Sequence, residues 1–142
     1  MALPLDEALA YVLQHTHGVL VTLRADGRPQ LSNVLYVPGD GPTVRISVTD
    51  SRAKTANLRR DPRGSLHVTS ADFWSYAVLD GTVGLSPVAA DADDAVVDEL
   101  VDMYRRAQGE HQDWAEFRRA MVDQGRIVAT LSPTYAYGML AS

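Results

Sequence analysis

What most constrains this chain is a succession of short stretches that alternate apolar and polar residues with period two, each closed by glycine, proline or aspartate. Val19 to Leu23 leads into Asp26-Gly27, a dipeptide suited to the positive φ values of a tight hairpin, and Gln30 to Val37 stops at Pro38-Gly39-Asp40-Gly41-Pro42. Val44, Ile46 and Val48 then alternate with polar neighbours as far as Thr49, and Ser65 to Thr69 makes a fourth strand. Trp74 to Leu85 reads as a fifth, bent or bulged at Asp80-Gly81, and Ile127 to Leu131 as a sixth that ends before Pro133. Helical spacing occupies the remainder: Leu5 to Leu13, Arg52 to Arg60 capped by Asp50-Ser51 and stopped by Asp61-Pro62, and two apolar stripes through Val96 to Tyr104 and Trp114 to Met121. Helices inserted among strands, rather than alternating with them, predict a mainly β fold: a six-stranded antiparallel barrel with accessory helices. The two stripes suit either a cover over the barrel or a symmetric dimer interface.

A length of 142 residues fits one domain spanning 1–142. With no cysteine there is no disulfide, thiol nucleophile or thiolate metal site, which fits a reducing cytoplasm. The net charge of −5 repels nucleic acid. Asp6 and Glu7 stand where a signal peptide needs basic residues, and no stretch approaches the roughly 20 apolar residues of a membrane span, so neither export nor a membrane partner is expected. Hydrolase elbows, dinucleotide turns, phosphate loops and metal-binding helices are all missing, and the four histidines lack evident fellow ligands, so no metal is expected.

Chemistry concentrates in Thr49 to Arg63, which carries five of the 13 basic residues, Lys54 being the only lysine of the chain. Arg59 and Arg60 fall in the last turn of the expected helix, where cations suit the dipole. Arg52 and Lys54 sit in its first turn, where a cation is mildly unfavourable and unpaired backbone N–H groups point outward. A phosphate would resolve both problems; a solvated basic helix end is the plain alternative. Asn33 shares a strand face with Leu31, Leu35 and Val37, and its amide serves either a strand end or the polar edge of a heteroaromatic ligand. Trp74 and Tyr76 belong to the densest aromatic patch and suit a wall for a planar ligand, an interface rim or barrel packing.

Together, the strand Val44 to Thr49 running into Ser51-Arg52-x-Lys54-x-x-Asn57-Leu58-Arg59-x-Asp61-Pro62-Arg63, followed by Trp74-Ser75-Tyr76 and the Gly81 strand, resembles the pyridoxamine 5'-phosphate oxidase-like split-barrel family, and most of all its deazaflavin-dependent branch. The resemblance implies a homodimer with two cofactor sites at the subunit interface. It implies that Arg52 and Lys54 hold the phosphate, that Asn33, Ser47, Val48, Thr49 and Asn57 line the cofactor, and that Trp74 and Tyr76 reach the site from the partner chain. The implied cofactor is coenzyme F-420, with FMN as the alternative, and the implied reaction is hydride transfer to a small planar substrate with no side-chain nucleophile. Arg28, Arg59 or Arg63 at the pocket mouth would meet the acidic tail of a deazaflavin. A carrier without turnover, or a haem-binding protein, remains the alternative from outside catalysis.

Overall fold

In the computed structural model, which describes residues 1–141, six strands close into an antiparallel barrel. Helix α1 (Leu5–Leu13) precedes strands β1 (His17–Leu23), β2 (Pro29–Pro38) and β3 (Val44–Thr49). Helix α2 (Ala53–Arg60), strands β4 (Arg63–Thr69) and β5 (Tyr76–Leu85), helices α3 (Ala95–Gln108) and α4 (Trp114–Asp123), and strand β6 (Arg126–Met139) follow. Around the barrel the order is β1-β2-β3-β6-β5-β4, and closure comes from β1 pairing with β4, Val19 opposite His67.

The period-two pattern sorts residues to the two faces of each strand. Leu20, Val34, Tyr36, Ile46, Val48, Leu66, Leu79, Ile127 and Leu131 fill the interior. Helix α1 adds Ala8 and Val12 to that core, and the buried Tyr36 hydroxyl donates to the Val12 carbonyl at 2.6 Å. A second polar group inside the barrel also needs a partner: the fully buried Thr22 hydroxyl accepts from the Asn57 amide of α2 at 3.1 Å. Asn57 thereby ties α2 to the barrel.

The outward faces of β2 and β6 are partly covered by the helices. Val96, Val97, Leu100, Val101, Met103 and Met121 form a second cluster with Val37 and Val128. The helical stripes therefore cover the chain's own barrel. Arg45, on the outer face of β3 and only 9% exposed, pins α3 down: Nε donates to the Pro38 carbonyl at 3.0 Å, Nη1 to Glu99 at 3.3 Å and Nη2 to Asp102 at 3.0 Å.

Four local expectations change. Helix α2 begins with Arg52 at the N-cap and no side-chain cap; the Asp50 carboxylate pairs with Arg59, and Thr55 bonds the Thr49 carbonyl at 2.7 Å instead. In the β1–β2 turn only Gly27 takes a positive φ, of 86°, while the Asp26 carboxylate accepts the Arg28 N–H. Strand β5 starts at Tyr76, because the Asp72 carboxylate accepts from the Trp74 N–H and the Ser70 hydroxyl and folds residues 70–75 into a loop, with Phe73 at φ 73°. Strand β6 runs through Pro133 to Met139: proline, which has no N–H to give, lies opposite Gly81 where the β5–β6 register shifts. That bulge is where Asp80-Gly81 predicted it, and a side chain at Gly81 would collide with the Ser132 carbonyl.

Replacing Arg45 by alanine removes three hydrogen bonds and a buried aliphatic stem, while Glu99 and Asp102, both partly exposed, rehydrate. The expected loss is about 1–3 kcal/mol, read as a lower urea midpoint at unchanged m-value, with Arg45→Met recovering part of it.

A candidate cofactor cleft

A cleft of about 540 Å³ opens between the barrel and the α3–α4 pair, within the usual range for small-molecule sites. Its floor is strand: Asn33, Leu35 and Val37 of β2, and Ser47, Val48 and Thr49 of β3. One wall is helix, with Leu100, Met103, Tyr104, Ala107 and Gln108 from α3 and Phe117 and Met121 from α4. Arg52, Lys54 and Arg126 also line it.

These three cations share a property. Among the described residues none pairs with a carboxylate, whereas Arg59 and Arg63 pair with Asp50 and Asp61. Lys54 follows the uncapped N-cap Arg52, beside backbone N–H groups that α2 leaves without helical acceptors. Arg126 opens β6 directly opposite Thr49, and its guanidinium lies 3.5 Å from the Ser47 hydroxyl and donates to Gln124 at 2.9 Å. Partial burial lowers the pKa of Lys54, and the Arg52 and Arg126 charges lower it further. Burial, then Arg52, lowers that of Arg126 in the same way. Unpaired, partly dehydrated like charges are unfavourable alone, and a phosphate anion would relieve all of them at once.

Of the residues singled out by sequence, Asn33, Ser47, Val48, Thr49, Arg52 and Lys54 come together in this cleft. Asn33 is exposed on the outer barrel face, so it is no satisfied core amide. Asn57 is buried on the barrel side of α2, bonded to Thr22 and, at 3.4 Å, to Gln30, and does not line the cleft. Trp74 and Tyr76 lie outside it in their own chain, Trp74 being 80% exposed at the β4–β5 loop. Arg28, Arg59 and Arg63 do not line it either; Arg63 borders a separate hollow beside Ser65 and Asp80. Arg126 and the helical wall were missed. Their place depends on the β3–β6 pairing and the packing of α3, and nothing in local spacing signals either one. No group of three or more His, Asp or Glu side chains suited to a metal occurs among the described residues, and no helix there is long and apolar enough to cross a membrane.

The fold recurs in known proteins. An F-420 reductase structure superposes with a TM-score of 0.68 at 20% identity, covering 89% of this chain and 94% of that one. A conserved hypothetical protein of Mycobacterium tuberculosis gives 0.73 at 19% identity, covering 96% and 84%. A pyridoxamine 5'-phosphate oxidase-related, FMN binding protein of Nostoc punctiforme gives 0.62 at 11%, covering 94% and 79%. At these identities the likeness speaks for the fold. The sequence profile of pyridoxamine 5'-phosphate oxidase, by contrast, matches residues 5–139, nearly the whole chain. This protein, with its closed six-stranded barrel, therefore belongs to the pyridoxamine 5'-phosphate oxidase family.

Proposed function

We propose that the protein is a cytoplasmic, homodimeric oxidoreductase that holds coenzyme F-420 in the cleft and passes a hydride from it to a small planar acceptor. The observation that carries this reading is the set of three cations without a carboxylate, Arg52, Lys54 and Arg126, at one cleft. A phosphate monoester brings about −1.5 to −2 charge at neutral pH, less than three cations can neutralise. This favours a ligand whose phosphate is followed by further carboxylates, as in a deazaflavin, over FMN, whose chain ends at the phosphate. FMN is the second reading, served by the same clamp.

When bound, the cofactor supplies the hydride chemistry, and the protein's part is to bind, orient and shield. Arg52 and Lys54 grip the phosphate, and Arg126, beside the Ser47 hydroxyl, is left to meet a carboxylate beyond it. The side chains of Ser47 and Thr49 and the backbone of Val48 floor the ring site, and the Asn33 amide offers a donor and an acceptor to its polar edge. The cleft is walled by this chain on the helical side. On the other side the outer face of β1 and β2 carries the exposed Leu31 and Leu35 next to Asn33, a surface suited to a second copy, whose Trp74 and Tyr76 would close the site.

Titrating the purified protein with coenzyme F-420 and with FMN, followed by cofactor fluorescence, is the direct test, and tighter binding of coenzyme F-420 is expected. Lys54→Ala and Arg126→Ala should each weaken it about tenfold to a hundredfold. Unchanged affinity after removing both charges would sink the reading. Because Lys54 is held below the ordinary lysine value, raising pH removes its charge earlier than for a free lysine, so affinity should fall across the alkaline range. Lys54→Arg, which stays charged, should abolish that fall. Leu31→Lys, outside the cleft, should convert a dimer to monomer in sedimentation and weaken cofactor binding with it.

A further inference from the structure

Resting on the cofactor reading above, we propose that the helical wall of the cleft is a selectivity surface for a flat, uncharged, apolar acceptor. Its inward side chains are Leu100, Met103, Tyr104, Phe117 and Met121, with the Tyr104 hydroxyl and the Gln108 amide as its polar elements. Most charges of the same helices are bound elsewhere. Glu99 and Asp102 face Arg45, Arg106 joins Asp102, Arg118 joins Asp98, and Arg105 pairs with Glu110 while its guanidinium sits 4.7 Å from the Trp114 ring. No charged group of α3 or α4 lines the cleft.

A substrate laid against this wall loses water and gains no counter-charge from it, so an anionic acceptor bears an uncompensated desolvation cost that a neutral one avoids. Met103 and Met121, both buried, supply flexible, polarisable contacts that adapt to the outline of a flat ring. Phe117 is held edge-on by Tyr104 at 5.1 Å and Trp114 at 5.6 Å, which gives the wall a rigid aromatic backing. Gln108 supplies a hydrogen-bond donor for one carbonyl or similar acceptor atom of the substrate. Discrimination thus comes from what the wall lacks as well as from what it offers.

Trp114 touches Phe117 and reports occupancy of the wall without any cofactor. Trp74→Phe removes the other tryptophan, so emission then comes from Trp114 alone. With the cationic end filled by saturating inorganic phosphate, naphthoquinone should quench this emission saturably, and naphthoquinone sulfonate should bind about tenfold weaker or worse. Met121→Leu should preserve the preference, and Met121→Lys should reverse it by placing a cation in the wall. Saturating inorganic phosphate, which competes only for the cations, should leave quinone binding unchanged. Equal affinity for the two quinones, unsaturable quenching, or displacement by phosphate would each overturn the proposal. If coenzyme F-420 and FMN both fail to bind while the neutral quinone is still preferred, the cofactor reading falls and the selectivity surface stands.

Discussion

Closure of the sheet is the constraint on which the rest of the molecule depends. Strand β6 hydrogen-bonds to β3 along one edge and to β5 along the other over its 14 residues, and β1 pairs with β4 to complete the ring. A closed barrel leaves no unpaired edge and gives every strand one inward and one outward face. The longest strand pair also carries a slip. The chain makes it at Asp80-Gly81, where Pro133 can sit in a strand without breaking a needed bond and where glycine admits the Ser132 carbonyl.

With the interior filled by side chains, function is displaced to the outside. The cleft is a surface feature made from two strands and two helices, and its electrostatics follow from how those elements meet. The β3–β6 register sets Arg126 against Thr49, and the turn after Thr49 delivers Arg52 and Lys54 to the same place. Three cations crowd together there because acidic neighbours are engaged elsewhere: Asp50 with Arg59 and Asp61 with Arg63. Arg45 plays the complementary part under α3, where a buried guanidinium gathers Glu99 and Asp102 and holds the helical wall over the floor. One cleft thus joins a strongly positive end to an apolar wall, an arrangement suited to a ligand that is itself an anion at one end and a flat ring at the other.

Much of this was legible along the chain, for reasons that differ by element. Strands β1 to β4 and helices α1, α3 and α4 are set by local rules, period-two or helical burial and turn chemistry, which a neighbouring residue cannot easily override. The oddity of Arg52 and Lys54 at the start of a helix was legible too, because a helix dipole is a local property. Expectations moved where a side chain chose a different local partner. Asp72 captured the Trp74 N–H and shortened β5, and Asp50 took Arg59 rather than capping α2. Pro133 looked like a strand end because its role at the bulge requires knowing that Gly81 lies across from it.

By itself the sequence determined the succession of strands and helices and the basic segment with its lone lysine, since each rests on residues a few positions apart, and Asp80-Gly81 marked where the fifth strand would bulge. Tertiary structure alone decided which faces became floor and wall. It turned Asn57 of α2 inward against Thr22 instead of into the cleft, brought Arg126 across from Thr49, and laid the α3–α4 stripes on Val37 and Val128. The physical reason is that strand pairing and helix packing join residues tens of positions apart, and no period or dipeptide encodes which distant partner a strand or helix will find.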